Sequence, residues 1–453
     1  MAFIFPKQLM GADANCESTL SEQERAAANA WTFGIAPMVM SLAHHEFKMP
    51  DGILSHFSRP FDQSTNLMVG LNSDVLISEG WLDLSLGPYR LHTPNTKGTF
   101  FVIQLMDGFS NTFASLGTVE TGSKAVDYLL LGPKGEIQDK DYSGIQIIRA
   151  PTDLVGIRGR IAVKHVQPEF DRANRMQKRI ALIANSSRAK TSIEKTDFYP
   201  EISRSIKQSI PWRILAMDAA DFFPFLQYVL KEIPPLAEYG EIKKSLAALG
   251  VLGSEKLDWN SLPPDKKLVF IHGLECGKQR FWNYVNQSVL NRTATGWSKP
   301  EIADGNFGTD YLRRATIAVF APAANVTKVA VYLTNQIDDS RQQLYGKNQY
   351  RIHFPLNSLP PAKAYWSLTA YDEKNFLVPN AIHRYSIGSL DPDLVKNSDG
   401  SIDIYFSNKE PTKEFKNWLP TPMDFFSVTL RIYWPEERAV NGNWSPPAIV
   451  KLK

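Results

Sequence analysis

At 453 residues the chain is longer than one ordinary domain, and 43% hydrophobic against 21% charged residues is the composition of a globular protein. Fifty basic and 47 acidic residues leave a net charge of +3, so nothing drives the chain electrostatically toward nucleic acid or an anionic membrane. Cys16 and Cys276 are too few and too far apart to read as a disulfide framework, and a chain of this length folds without such staples.

The opening Met1-Ala-Phe-Ile-Phe-Pro6 is too short an apolar burst for a secretion leader, and no uninterrupted apolar run approaches the ~18 residues of a membrane span. Five sequons begin at Asn185, Asn286, Asn291, Asn325 and Asn443; without a leader they read as chance occurrences. The expected location is cytoplasmic.

Residues 20–47 have a helical pattern. Ser21 is placed to cap it, Glu22 and Glu24 suit its first turn, and Pro37 is expected to kink or split it. His44 and His45 end it, where they read as a C-terminal cap rather than a metal site. Residues 66–165 read as β structure, with turn signals at Leu86-Gly-Pro, Pro94-Asn-Thr-Lys-Gly, Asp107-Gly and Gly132-Pro-Lys-Gly. Within Thr99 to Asp107, Phe101, Ile103 and Leu105 point one way, and Phe100, Val102 and Met106 the other. Such a strand is buried on both faces, so Gln104 and Asp107 each need a partner or a cavity.

Residues 166–260 return to helix, with candidates over Asp171 to Ala184, Asp221 to Ile233 and Leu236 to Leu249; Gly250 suits a left-handed stop. Residues 310–453 return to strands. In the run Phe425 to Trp434, Phe426, Val428, Leu430, Ile432 and Trp434 form an apolar face. Ser427, Thr429, Arg431 and Tyr433 form a polar one, which either meets solvent or lines a pocket.

Two ordered motif sets carry a family resemblance. The first runs from Leu71-Asn-Ser-Asp74 through Trp81-Leu-Asp-Leu84, Gln104-Leu-Met-Asp107, Asn111-Thr-Phe-Ala and Gly117-Thr to Pro151-Thr-Asp. The second includes Gly308-Thr-Asp-Tyr-Leu-Arg-Arg-Ala315, Ala364-Tyr-Trp-Ser-Leu-Thr369, Asn380-Ala-Ile-His-Arg-Tyr385, Arg431-Ile-Tyr-Trp-Pro435 and Gly442-Asn-Trp-Ser-Pro-Pro447. The chain resembles the paired domains of unknown function 1254, N-terminal, and 1214, C-terminal. One departure is Leu76-Ile-Ser78, where the family usually has Leu-Tyr-Ser. The resemblance implies jelly-roll-like sandwiches with helical segments attached, and no assigned chemistry. With the periodicity, it gives a mainly β, α+β chain. A helical segment over 1–60 precedes a β-sandwich over 61–165. A mainly helical connector over 166–305 then leads to a second sandwich over 306–453.

No phosphate-binding loop, dinucleotide fingerprint, nucleophile elbow or metal-ligand spacing occurs, so neither an organic cofactor nor a metal is expected. Cys276, in His272-Gly-Leu-Glu-Cys-Gly277, reads as a buried or incidental thiol. What remains are polar residues inside aromatic strands, the composition of a small-molecule pocket. Asp107, Arg384 and Tyr385 are the catalytic candidates: a carboxylate base, and a guanidinium and a phenol to steady negative charge. Asn72, Asp74, Trp81, Gln104, Asn111, Trp366, Tyr371 and Arg431 are the substrate-binding candidates. The expected function is a cofactor-independent enzyme of isomerase, cyclase or lyase type acting on a hydrophobic small molecule, for instance in specialised-metabolite biosynthesis. A homo-oligomer is compatible with the sequence. The alternative is a carbohydrate-binding or structural sandwich, which would display a row of exposed aromatic rings.

Overall fold

The computed structural model of the protein describes residues 16–47, 49–65, 69–137, 144–184, 209–290, 292–300, 305–411 and 416–452. The sequons at Asn185 and Asn291 lie outside the described residues. Asn325 is buried.

Helix α1 (Glu22–Glu46) begins at a capping box: the Glu24 N–H donates to the Ser21 hydroxyl, and the Ser21 N–H donates back to the Glu24 carboxylate at 2.8 Å. Pro37 does not split it; the helix runs on to Glu46. By length and composition α1 could cross a membrane, yet 89% of its most apolar window is buried inside the protein. A helix apolar all round must be covered all round, and the cover comes from five helices. These are α3 (Ile210–Ala216), α4 (Ala219–Glu232), α5 (Gly240–Ala248), α6 (Pro264–Leu290) and α7 (Tyr311–Phe320), with α2 (Gln167–Gln177) lying apart. Two glycines let α6 approach: a Cβ on Gly273 would sit 2.4 Å from that of Ala27, and one on Gly277 would sit 2.8 Å from the Trp31 ring. The motif around Cys276 is therefore a helix-packing face. Cys276 itself is disulfide-bonded to Cys16, just ahead of α1, which corrects the expectation of an unbridged thiol. Sequence separation conceals the pair because α1 and α6 lie side by side.

His44 and His45 do not cap α1; the Phe47 N–H fills that role by donating to Ala43. Their rings bond instead to Asp51 and to Glu232 at the end of α4. The stop at Gly250 is as expected. Its φ is +74°, its N–H donates to the Ala247 carbonyl, and the Val251 N–H donates to that of Leu246. Two expected elements differ. Only the first part of 171–184 is helical, and its last four residues form a strand. Tyr311–Phe320 is a helix, with Asp310 as its N-cap, where strands were expected.

The first sandwich comprises β1 (Leu54–His56), β2 (Val75–Asp83), β3 (Tyr89–Thr93), β4 (Phe101–Asp107), β5 (Thr112–Gly117), β6 (Val126–Leu131), β7 (Gln146–Arg149), β8 (Leu154–Ala162) and β9 (Ala181–Ala184). A five-stranded sheet, β1-β2-β8-β4-β5, faces a four-stranded one, β7-β6-β3-β9. Phe101, Ile103 and Leu105 enter the core between them. Phe100, Val102 and Met106 point out of it, into the helical core, as the alternation requires.

The second sandwich comprises β10 (Ala330–Asn335), β11 (Tyr350–Phe354), β12 (Ala362–Asp372), β13 (Ser386–Gly388), β14 (Ile402–Ser407), β15 (Trp418–Pro420), β16 (Phe426–Pro435) and β17 (Ile449–Lys451), with the one-turn helix α8 (Glu437–Val440) before the last strand. Sheet β10-β16-β12-β13 faces β15-β14-β11-β17. Phe426, Val428, Leu430 and Ile432 fill the core between them. Trp434 leaves that face because its φ is +51°, which turns the ring toward the helical core. Apart from β6–β7 and β14–β15, the strand pairs are antiparallel.

The two sandwiches meet through their second faces. Phe100 packs edge-on against Tyr365 and Tyr433, at 5.6 and 5.5 Å between ring centroids, and those two rings stack at 4.2 Å. The Asp74 carboxylate accepts hydrogen bonds from the Ser367 and Ser386 hydroxyls across the junction. His165 bridges it too, with Nδ1 3.1 Å from Asp391 and Nε2 2.9 Å from the Ser73 carbonyl.

Two outcomes test this arrangement. Wild-type protein unfolded without reductant is expected to show no reactive thiol, and Cys276→Ser to lower unfolding free energy by about 2–4 kcal/mol in urea titrations. Two reactive thiols would contradict the bridge. Burial alone would lower the pKa of His165, but Asp391 outweighs it and pushes it from 6.5 to about 9. A pKa raised on folding stabilises fully below the unfolded value and ceases to do so as pH rises through the folded one. His165→Gln should therefore lower the melting temperature below pH 6.5, and the difference from wild type should close above about pH 9. A pH-independent difference would mean that the ion pair is not the cause.

Candidate functional site: a cavity between the sandwiches

Strand β8 reads Leu-Val-Gly-Ile-Arg-Gly-Arg-Ile-Ala, and its alternation sends Arg158 and Arg160 out of the first sandwich on the side of Val102 and Gln104. From the opposite side β10, β12 and β16 send Tyr332, Thr334, Thr369, Tyr371, Thr429, Arg431 and Tyr433. These faces flank a cavity of about 150 Å³, whose lining also includes Phe61, residues 69–72 and 320–324, Asp372 and Glu373.

Arg160 and Arg431 are 7% and 3% exposed. Arg160 donates to the Gln104 amide oxygen at 2.8 Å, to Asn325 Oδ1 at 3.2 Å and to the Ala323 carbonyl at 2.5 Å. Arg431 donates to Thr369 Oγ1 at 2.8 Å, to the Gly70 carbonyl at 3.0 Å and to the Tyr371 hydroxyl. Every one of these acceptors is a neutral oxygen. Among the described residues no carboxylate forms an ion pair with either guanidinium. Glu79 is taken by Arg158 and Asp74 by two serines. Burial pushes the Arg160 pKa below its ordinary value, whereas Arg431 is held above its own, against burial, by the Tyr371 and Tyr433 phenols and the nearby Asp74 carboxylate.

The phenols complete the lining. The Tyr332 oxygen accepts from the Asn325 N–H at 3.2 Å and from Asn325 Nδ2 at 2.9 Å, so its own proton is left for a third partner. Tyr433 accepts from Asn72 Nδ2. Burial pushes Tyr371 and Tyr433 above the usual phenol range, so both stay protonated at neutral pH. The site thus gathers two guanidiniums without a direct ion pair and several neutral donors around one small cavity. It suits a negatively charged guest, and its one partly buried carboxylate is Asp372, whose pKa burial raises.

The residues singled out in the sequence are dispersed. Asn72, Tyr371 and Arg431 line the cavity. Gln104 and Asp74 stand behind it, Gln104 holding Arg160 and Asp74 joining the sandwiches. Trp81 packs against the His44 ring at 5.2 Å, and Trp366 lies in the second sandwich core against Phe354. Asp107 is 1% exposed but not alone. It accepts from the Phe109 and Asn111 N–H groups at 2.9 Å and from the Asn111 side chain at 2.8 Å. Burial raises its pKa against those bonds and the charge of Arg314. Asn111 also reaches the Tyr239 hydroxyl, to which Arg314 donates at 2.7 Å. This network organises the turn after β4.

Arg384 and Tyr385 line a second, larger cleft of about 460 Å³, with His165 and Asp391. The Arg384 guanidinium donates to the Trp418 carbonyl at 2.9 Å, and the Tyr385 hydroxyl bonds to Gln63. Asp107 therefore does not converge with Arg384 and Tyr385, and in the cleft His165 is paired with Asp391. The sequence reading passed over Arg158, Arg160 and Tyr332 as site residues. The available signal was two arginines spaced by two in an otherwise apolar strand.

The comparisons fit this architecture. The family model described as protein of unknown function DUF1254 matches residues 53–184, the span of β1 to β9, and that of DUF1214 matches residues 329–437, the span of β10 to β16. No curated protein matches. The crystal structure of the VPA0106 protein from Vibrio parahaemolyticus has a similar fold. It is 19% identical with a TM-score of 0.68, over 95% of this chain and all of that one. An uncharacterised protein from Burkholderia cenocepacia is more distant, 11% identical with a TM-score of 0.45, over 98% of this chain and 97% of that one. With both domains matched in order along the chain, the protein belongs to the paired DUF1254–DUF1214 family.

Proposed function

We propose that the protein binds a small organic anion, of carboxylate or enolate type, in the cavity between its sandwiches, and acts on it by cofactor-independent isomerase or lyase chemistry. The observation that carries this reading is the pair of buried guanidiniums, Arg160 and Arg431, whose acceptors are all neutral. A buried cation without a countercharge is costly, and a bound anion removes that cost. Arginine suits the task because its planar fork matches a carboxylate and it does not deprotonate. About 150 Å³ accommodates a guest of benzene size, so the hydrophobic substrate expected from the aromatic strands becomes a small one with a charged group.

Two fixed cations and protonated phenols would stabilise an enolate formed from such an anion, which is the electrostatic half of a proton-transfer reaction. The carbohydrate alternative has less support: none of the described Trp, Tyr or Phe side chains is exposed, so no platform of rings is offered. We read each pair of sheets as jelly-roll-like, on the non-sequential strand order. The Cys16–Cys276 bond favours an oxidising compartment over the cytoplasm expected from the sequence.

Calorimetry with benzoate and with pyruvate tests binding. One site per chain is expected, with affinity falling about 10- to 100-fold in Arg160→Gln and in Arg431→Gln, as befits loss of a charge-assisted bond. Proton NMR in D₂O then tests catalysis, through enzyme-dependent exchange of the acidic C–H of pyruvate and related keto acids. Binding without exchange would leave an anion-binding protein. No binding by wild type would remove the reading altogether.

A further inference from the structure

The C-terminal turns of α1 and α4 meet beside the Trp81 ring, where His44 and His45 approach Glu232, so the negative ends of two helix dipoles lie close together. Glu232, the last residue of α4, places a carboxylate there, where the dipole of its own helix disfavours one and the His44 and His45 rings and the Ser41 hydroxyl gather round it. Three donor groups surround the point: His44, His45 and Glu232 each offer one ligand atom, all within 4.8 Å of one another. Oε1 lies 3.0 Å from His45 Nε2 and 3.6 Å from His44 Nδ1, while ligands of a tetrahedral ion with bonds of ~2.0–2.1 Å sit about 3.3 Å apart.

The groups around these donors point the same way. His44 is 5% exposed, and its Nδ1 has no hydrogen-bond partner although it faces Glu232. Its other nitrogen, Nε2, lies 2.9 Å from Asp51 Oδ1. In the neutral ring a proton on Nε2 donated to Asp51 leaves the Nδ1 lone pair facing Glu232 Oε1 and free for a metal, the carboxylate–histidine–metal arrangement. The Ser41 hydroxyl donates to Glu232 Oε2 at 2.8 Å and so turns Oε1 inward.

We propose that His44, His45 and Glu232 form a binding site for a divalent transition metal, zinc first, with Asp51 and Ser41 as its outer shell. Two imidazoles and one carboxylate are a borderline-soft donor set, suited to zinc and its neighbours and not to calcium or magnesium. Three protein ligands leave a fourth position for water or a ligand. The His45 and Glu232 side chains, 14% and 26% exposed, give that side a route to solvent. Sequence spacing hides the site, because adjacent histidines on a helix are not a recognised pair and Glu232 arrives from a distant helix.

The test uses the full chain, stripped with EDTA and desalted, then titrated with zinc chloride by calorimetry and with cobalt chloride by absorption. One ion per chain is expected, with the intense visible bands of a four-coordinate cobalt site. Asp51→Asn should weaken zinc about 10- to 100-fold, and His45→Gln and Glu232→Gln at least as much. Absence of saturable zinc binding to wild type would overturn the proposal. So would unchanged affinity in variants that keep the wild-type circular dichroism. If the variants do not fold, the wild-type cobalt spectrum decides: only the weak bands of a six-coordinate aqueous ion would overturn it.

Discussion

The interface between the two sandwiches is built on a cation that cannot leave. Arg160 and Arg431 are embedded in the opposed second faces of two sheets, and their bonds join segments far apart in sequence: Arg160 to residues 323–325 and Arg431 to Gly70. These bonds hold the junction together, yet neutral oxygens solvate charge less well than water or a carboxylate does. The fold thus keeps two guanidiniums on neutral acceptors in the wall of one cavity, which is the property that a small anion would use.

The helical layer makes this possible. Helix α1 is apolar on every side, and six elements must gather to cover it: α3 to α7 and the outer face of the five-stranded sheet. Helix α7 leads directly into residues 320–324, one wall of the cavity, and the disulfide pins the start of α1 to α6. The cavity is therefore framed by packed helices and sheets more than by surface loops, and its donors are held by bonds to residues behind them, such as that from Arg160 to the Gln104 amide oxygen. Preorganisation of that kind is what electrostatic stabilisation needs.

Local physics was the legible part of the sequence. Alternation correctly assigned both faces of β4 and the polar face of β16, and the Ser21 capping box and the Gly250 stop were read from residue type and spacing alone. Trp434 left its face because one residue adopts a left-handed backbone, which no periodicity reports. Long-range convergence was illegible. Cys16 meets Cys276, Glu232 meets His45, and Arg384 lies in a different cleft from Asn72, all through packing that a linear pattern does not encode. The polar face of β16 was left between solvent and a pocket. Only the opposing β8, with its two arginines, decides for the pocket.

Crystals soaked in sodium bromide and measured at the bromine absorption edge test the anion site most directly, because bromide is small, monovalent and located by its own anomalous signal. An ordered bromide in the cavity, in contact with Arg160 or Arg431 and lost in the Arg431→Gln variant, is the expected result. Bromide found only at surface lysines and arginines, with the cavity occupied by water alone, would contradict it.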